Sequence, residues 1–176
     1  MNQLNVIKLT LYMIGTVFFF SLCFIVKYLA LNNITREFTN PFFELDYMTN
    51  TGAAFSTLNH SCYVIAGVAL TVLFFIVAYV CYNTHKTSYY KIILLSIFSA
   101  GIGANLFERL KYGYVEDYIS IKLFSFPIFN FQDILIVTSC ILLIFAYQFK
   151  IKNNQQTDAV TMEPCDDSTV EEHNQY

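Results

Sequence analysis

Charge is scarce in this sequence. Lys, Arg, Asp and Glu make up 13% of its 176 residues while 56% are hydrophobic, a balance that excludes an ordinary soluble domain of this size. The motifs of several chemistries are missing as well. There is no HExxH for zinc, no GxSxG, no P-loop and no dinucleotide fingerprint, and no histidine lies inside a long apolar run to activate a serine or cysteine. No internal repeat or heptad is present. The five cysteines, Cys23, Cys62, Cys81, Cys140 and Cys165, lack metal-type spacing and read as small buried hydrophobes rather than disulfide or zinc positions. Neither a cofactor nor a metal is expected, and no nucleic-acid partner.

What the sequence has instead is long apolar runs. Four of them, at about 10–31, 61–82, 89–106 and 129–149, could each cross a hydrocarbon core of about 30 Å, which takes roughly 20 helical residues. The expected fold is therefore an all-α integral membrane protein with four transmembrane helices. The first run is too long for the apolar core of a cleavable signal peptide and no small-x-small site follows it, so it reads as a retained span, with the mature chain beginning near Met1.

Short flanks rich in base orient the spans. His85 and Lys86 lie between the second and third runs, Lys91 stands at the start of the third, and Lys150 and Lys152 follow the fourth, which predicts cytoplasmic termini and a cytoplasmic middle loop. Two longer loops, 32–60 and 107–128, then share the outer face. The first has a turn signal at Asn40-Pro41 and a partly alternating stretch, FFELDYMTN, before Gly52, which predicts a small extracytoplasmic β-cradle between helices 1 and 2. The second joins helices 3 and 4 as an outer loop. Residues 1–152 form the transmembrane domain in this reading. Residues 153–176 hold six of the thirteen acids and read as a disordered cytoplasmic tail.

Ionisable groups at membrane depth cost about 2.5 to 3.5 kcal/mol each at a helix centre, so each needs a partner or a job. Here they gather, with two asparagine amides, at one end of the spans: Lys27, Asn105, Arg109, Asp117, Asn130 and Asp133. Singly, each has a plain explanation. Lys27 can snorkel to headgroups, Arg109 can anchor in an anionic interface, Asp117 can be an exposed loop acid, and Asp133 can interact with a helix N-terminus. Together, Asp117 and Asp133 suggest a carboxylate dyad. Mutual repulsion in a confined site raises one pKa and leaves the other low, so one group activates a water while its partner supplies a proton. Such a pair hydrolyses a peptide bond with neither metal nor covalent intermediate.

Three stretches carry a family likeness. NTGAAFS (50–56), AGIGANLFERLKYGYVEDYI (100–119) and PIFNFQD (127–133) resemble, in order, the NTGAAF, GGxxGNxxDRxxxGxVvDf and FNxAD elements of lipoprotein signal peptidase, or signal peptidase II. The family is one of bacterial inner-membrane aspartic peptidases that remove signal peptides from diacylglyceryl-modified prolipoproteins. The resemblance implies Asp117 and Asp133 as the catalytic pair. It further implies Asn50, Gly52, Ala54, Asn105, Arg109, Asn130, Lys27 and Gly101 as substrate-binding or supporting residues. It also implies lipidated prolipoproteins and membrane lipids as partners, a monomer, and inhibition of the globomycin type. Gly101 and Gly103 fit helix packing equally well.

The chain departs from the family pattern at four places. Cys23 stands where the family has an Asp four residues before Lys27, Glu108 replaces the Asp of NxxDR, Ala104 replaces a Gly, and Gln132 replaces the Ala of FNxAD. These changes keep open a member that binds prolipoprotein or lipid without cutting. A small proton-coupled transporter is a more remote alternative, because spans 2 and 4 have almost no polar residues below their outer ends.

Overall fold

A computed structural model of the chain describes residues 2–33, 42–52, 62–122 and 126–161, with side chains through Phe149. The chain falls into two compact units, Met1–Leu143 and Ile144–Tyr176. The element order is α1 (Gln3–Asn33), β1 (Phe43–Asn50), α2 (Cys62–Asn83), α3 (Tyr89–Tyr112), β2 (Val115–Ile121) and α4 (Phe131–Thr161).

Four helices among the described residues are long and apolar enough to span a bilayer, and they present large apolar side chains outward, such as Phe18, Val68 and Phe74. That exposure is what a hydrocarbon solvent favours, and helix is the form that satisfies every backbone polar group without water. The helices run past the apolar segments because backbone hydrogen bonding continues where hydropathy ends. In α3 this extension matters: Asn105, Glu108 and Arg109 stand on helix, with fixed angular relations. α4 likewise continues as helix to Thr161, so residues 153–161 of the expected tail are helical, and residues 162–176 lie outside the described residues.

α3 is the central helix, packing against both α1 and α2. Its buried face is built from small residues, Ser96, Ser99, Ala100, Gly101 and Ala104, which let neighbours come close where no hydrophobic force draws helices together. Tyr12 of α1 and Ser99 hydrogen-bond at 2.8 Å in this buried seam. At Gly101 a Cβ would sit 2.8 Å from both the backbone oxygen of Gln132 and Cγ1 of Ile136, so the missing side chain is what admits the start of α4. α2 buries few side chains, and Cys81 on it is exposed. This corrects the expectation of a buried residue: α2 is buried on one side only, and Cys81 points away from it.

The β-cradle is shared between both connecting loops. β1 comes from the first, as predicted, but its antiparallel partner β2 comes from the second, where only loop was expected. The alternation in VEDYISI is masked in the sequence by polar residues on both faces. Gly113 makes the turn into β2: at φ 80° it ends α3 in the left-handed conformation, its N–H donating to the Arg109 carbonyl. β2 pairs on its other side with Phe129 through an isolated bridge to Ile119. The segment leading into α4 is thereby laid beside the strand that carries Asp117.

Gly101→Ala is expected to destabilise the fold by about 1–3 kcal/mol through overpacking. Gly67→Ala, with nothing within 4 Å of the added Cβ, should be neutral or slightly stabilising, given the helix preference of Ala of up to about 1 kcal/mol. Thermal unfolding of both variants in detergent compares them.

Candidate active site

Asn130 is the residue before α4, and its side chain caps that helix: Oδ1 accepts the Asp133 backbone N–H at 2.9 Å. Asp133 reaches back, its Oδ2 accepting the Asn130 backbone N–H at 3.4 Å. This is a reciprocal capping box, so the helix-start explanation of Asp133 describes a real interaction. It is not the whole role. With Oδ1 committed to the helix, Asn130 Nδ2 faces the other way and donates to Asp117 Oδ1 at 2.6 Å. One amide, 1% exposed, thus touches both acids.

The remaining contacts close around this bridge. Asn105 Nδ2 donates to Asp133 Oδ1 at 2.8 Å, and its Oδ1 accepts from Asn130 at 3.4 Å. Asn50 Nδ2, at the end of β1, donates to Asp117 Oδ2 at 3.0 Å while its own Oδ1 accepts the Gly52 N–H. Arg109 donates to the Asn105 carbonyl and, at 3.4 Å, to the Gly52 carbonyl. Its Nε is buried without a hydrogen-bond partner among the described residues. Four elements therefore converge, and each carboxylate is held by amide donors.

The six side chains of Asn50, Asn105, Arg109, Asp117, Asn130 and Asp133 line a cleft of about 610 Å³. Its other wall is apolar, with Ile128, Phe129, Ile134 and Val137. A cleft polar on one side and apolar on the other suits an extended segment attached to an apolar one. Gly52 contributes its carbonyl to Arg109. Lys27 and Gly101 take other positions: Lys27 is salt-bridged to Glu108 and Glu116 behind the cleft, and Gly101 seats α4. Ala54 lies outside the described residues. Sequence reasoning did not select Glu116, Gln132 or Tyr47, which complete the cluster around Lys27. Gln132 had a signal, as a departure from the family pattern, while Glu116 and Tyr47 had none beyond their adjacency to selected residues.

The structure is that of a multi-pass membrane protein with a polar cleft at one end of its spans. Two solved structures of bacterial membrane enzymes, obtained by the in meso method, share this fold. One has a TM-score of 0.70 at 23% identity, covering 81% of this chain and 90% of that one. The other has a TM-score of 0.66 at 23% identity, covering 77% and 91%. The family model for signal peptidase (SPase) II matches residues 16–149, and the chain belongs to that family. Its relatives include the lipoprotein signal peptidase of Enterococcus faecalis, 33% identical over 125 residues, which are 69% of this chain and 76% of that protein. The lipoprotein signal peptidase of Streptococcus agalactiae is 33% identical over 122 residues, 69% of this chain and 78% of its own length.

Burial pushes the Asp117 carboxyl from 3.8 up to about 6. The hydrogen bonds from Asn50 and Asn130 and the charge of Arg109 oppose the rise, and the charge of Asp133 adds to it. A carboxyl whose pKa is higher folded than unfolded contributes stability that is complete below its unfolded pKa and lost as pH rises through its folded one. Between pH 4 and 7, wild type should therefore lose on the order of 1–3 kcal/mol relative to Asp117→Asn. Denaturation of both proteins across that range measures the difference, and parallel curves would exclude the shift.

Proposed function

We propose that this chain is an aspartic endopeptidase that removes signal peptides from lipid-modified prolipoproteins, with Asp117 and Asp133 as the catalytic pair. The observation that carries the reading is the Asn130 amide, which binds Asp117 through its nitrogen and the Asp133 N–H through its oxygen. Family membership and the lipoprotein signal peptidase relatives supply the substrate class.

The pair holds one proton between its two carboxyl groups and titrates as a unit. The ionised group takes a proton from a water, which attacks the scissile carbonyl. The protonated group donates to the carbonyl oxygen. The tetrahedral intermediate then collapses, a proton passes to the departing nitrogen, and the bond before the lipidated cysteine is cut. Asn105, Asn130 and Asn50 keep the carboxylates oriented, and Arg109, with its unpartnered Nε, binds backbone carbonyls of the substrate. The apolar wall receives the signal helix from the lipid. By the basic flanks of the spans, this end of the helices faces outward from a bacterial inner membrane and the termini are cytoplasmic. All of these side chains come from one chain, so a monomer suffices.

Asp117→Asn and Asp133→Asn are each expected to lower processing of a lipidated prolipoprotein by 10²–10⁴-fold or more, with normal membrane insertion. Normal cleavage by either purified variant would refute the pair. Restoration of lipoprotein processing in a peptidase-depleted bacterium, blocked by a globomycin-type inhibitor, tests the same function in cells.

The alkaline limb of kcat/KM should report loss of the shared proton, starting near the Asp117 value of about 6. Asn50 stabilises the ionised carboxylate, so Asn50→Ala should move that limb to higher pH. A pH–rate profile with the limb unmoved or shifted downward would contradict this.

A further inference from the structure

Thr138 stands in the wall of the cleft below the carboxyl pair. It lines the cavity with Ile134 and Val137 of α4. It follows Asp133 by five residues of helix, about 7.5 Å along the axis at 1.5 Å per residue. The residue is exposed, and it makes no hydrogen bond among the described residues. A threonine or serine in a membrane helix can satisfy its hydroxyl on the carbonyl four residues back. Thr16 and Thr71 do so at 2.8 Å, Thr84 does so at the end of α2, and Ser139, next to Thr138, donates to Leu135. Thr10 also lacks a partner, but it lies toward the opposite end of the spans and outside the cleft.

A hydroxyl without a partner is costly in hydrocarbon, so one that points into a cleft at this depth calls for a polar group on the occupant. The substrate brings carbonyl oxygens to the same level. Its apolar signal helix must end where the extended segment meets Asp117 and Asp133, and a helix end leaves its last four carbonyls without intrahelical partners. Those carbonyls sit in the turn just below the scissile bond. The acyl esters of the modified cysteine are a second source of the same acceptor. The wall they meet has no side-chain donor at Ile128, Phe129, Ile134 or Val137, which leaves Thr138 to supply one.

We propose that Thr138 is a specificity-determining residue whose hydroxyl donates to a carbonyl oxygen of the bound substrate at membrane depth, in the last turn of the signal helix or in an acyl ester. It gives an otherwise apolar wall one fixed donor and so sets the register of the substrate along α4. The role rests on the peptidase reading above.

The test compares wild type with Thr138→Val, which keeps the shape and removes the hydroxyl, and Thr138→Ser, which keeps the hydroxyl. Each is purified in detergent and assayed on a lipidated prolipoprotein and on an analogue whose chains are ether-linked. Thr138→Val should raise KM about three- to tenfold, the worth of one hydrogen bond, with kcat within about twofold and an unchanged melting temperature. Thr138→Ser should stay within about twofold of wild type in both constants. A wild-type KM in Thr138→Val overturns the proposal, and so does a Thr138→Ser as weak as Thr138→Val, because shape would then carry the effect. On the ether analogue, a Thr138→Val penalty that vanishes assigns the bond to the ester, and one of unchanged size assigns it to the signal helix; both uphold the donor. If wild type binds the prolipoprotein without cutting it, the peptidase reading fails and the Kd values decide on the hydroxyl: binding about three- to tenfold weaker in Thr138→Val upholds the donor, and equal binding refutes it. If wild type neither binds nor cuts, both readings fail.

Discussion

The Asn130 side chain is the joint on which the cleft depends. A primary amide has one acceptor and one donor end, and the α4 start consumes the acceptor by capping the Asp133 N–H. The donor end is then left facing β2, where Asp117 accepts from it. Helix capping and carboxylate placement are consequently one interaction. A capping residue of the ordinary kind with a hydroxyl would fill the first role but could not donate two N–H bonds outward, as Asn130 does to Asp117 and Asn105.

Around that joint, the bilayer sets where polar chemistry can be. Apolar side chains face outward along the spans, so charged groups are confined to the span ends, and those buried at the end where the sheet sits need partners. They separate into two layers. In front, asparagines and Arg109 surround Asp117 and Asp133. Behind, Lys27 meets Glu108 and Glu116. Burial pushes the Glu116 carboxyl up, but the Lys27 ammonium and the Tyr47 hydroxyl outweigh this and hold it below its ordinary value. Asp117, one residue on and facing the other side of the strand, is pushed the opposite way. Adjacent acids in a strand thus receive opposite environments, one held below its ordinary value and the other pushed up to about 6.

The departures from the family pattern make sense in the same frame. Glu108 and Gln132 replace a shorter acid and an alanine, and in this chain they bond to each other at 3.1 Å. The longer carboxylate reaches across to a side chain that an alanine could not offer. Buried polar groups need partners, and here the pairing is one-sided: Gln132 Nε2 donates to Glu108, while its Oε1 has no hydrogen-bond partner among the described residues.

The sequence by itself determined the four spans, because runs of apolar residues of bilayer length admit few other structures. It also determined which polar residues would gather at one end, since alternation of spans places Lys27, Arg109, Asp117 and Asp133 at a common boundary. The motifs NTGAAFS and FNFQD pointed to Asn50, Asn130 and Asp133 before any geometry was known. Only the tertiary structure decided that β2 would exist, since Val115–Ile121 becomes a strand by pairing with β1 on one side and Phe129 on the other. It alone divided the polar residues into a layer in the cleft and a layer behind it, taking Lys27 and Gly101 out of the lining and bringing Glu116 and Gln132 into the support. The physical reason is that periodicity and composition report the solvent a residue prefers. Which donor meets which acceptor depends on how residues distant in sequence are brought together, and that is settled by strand register and by the close approach of helices at positions such as Gly101.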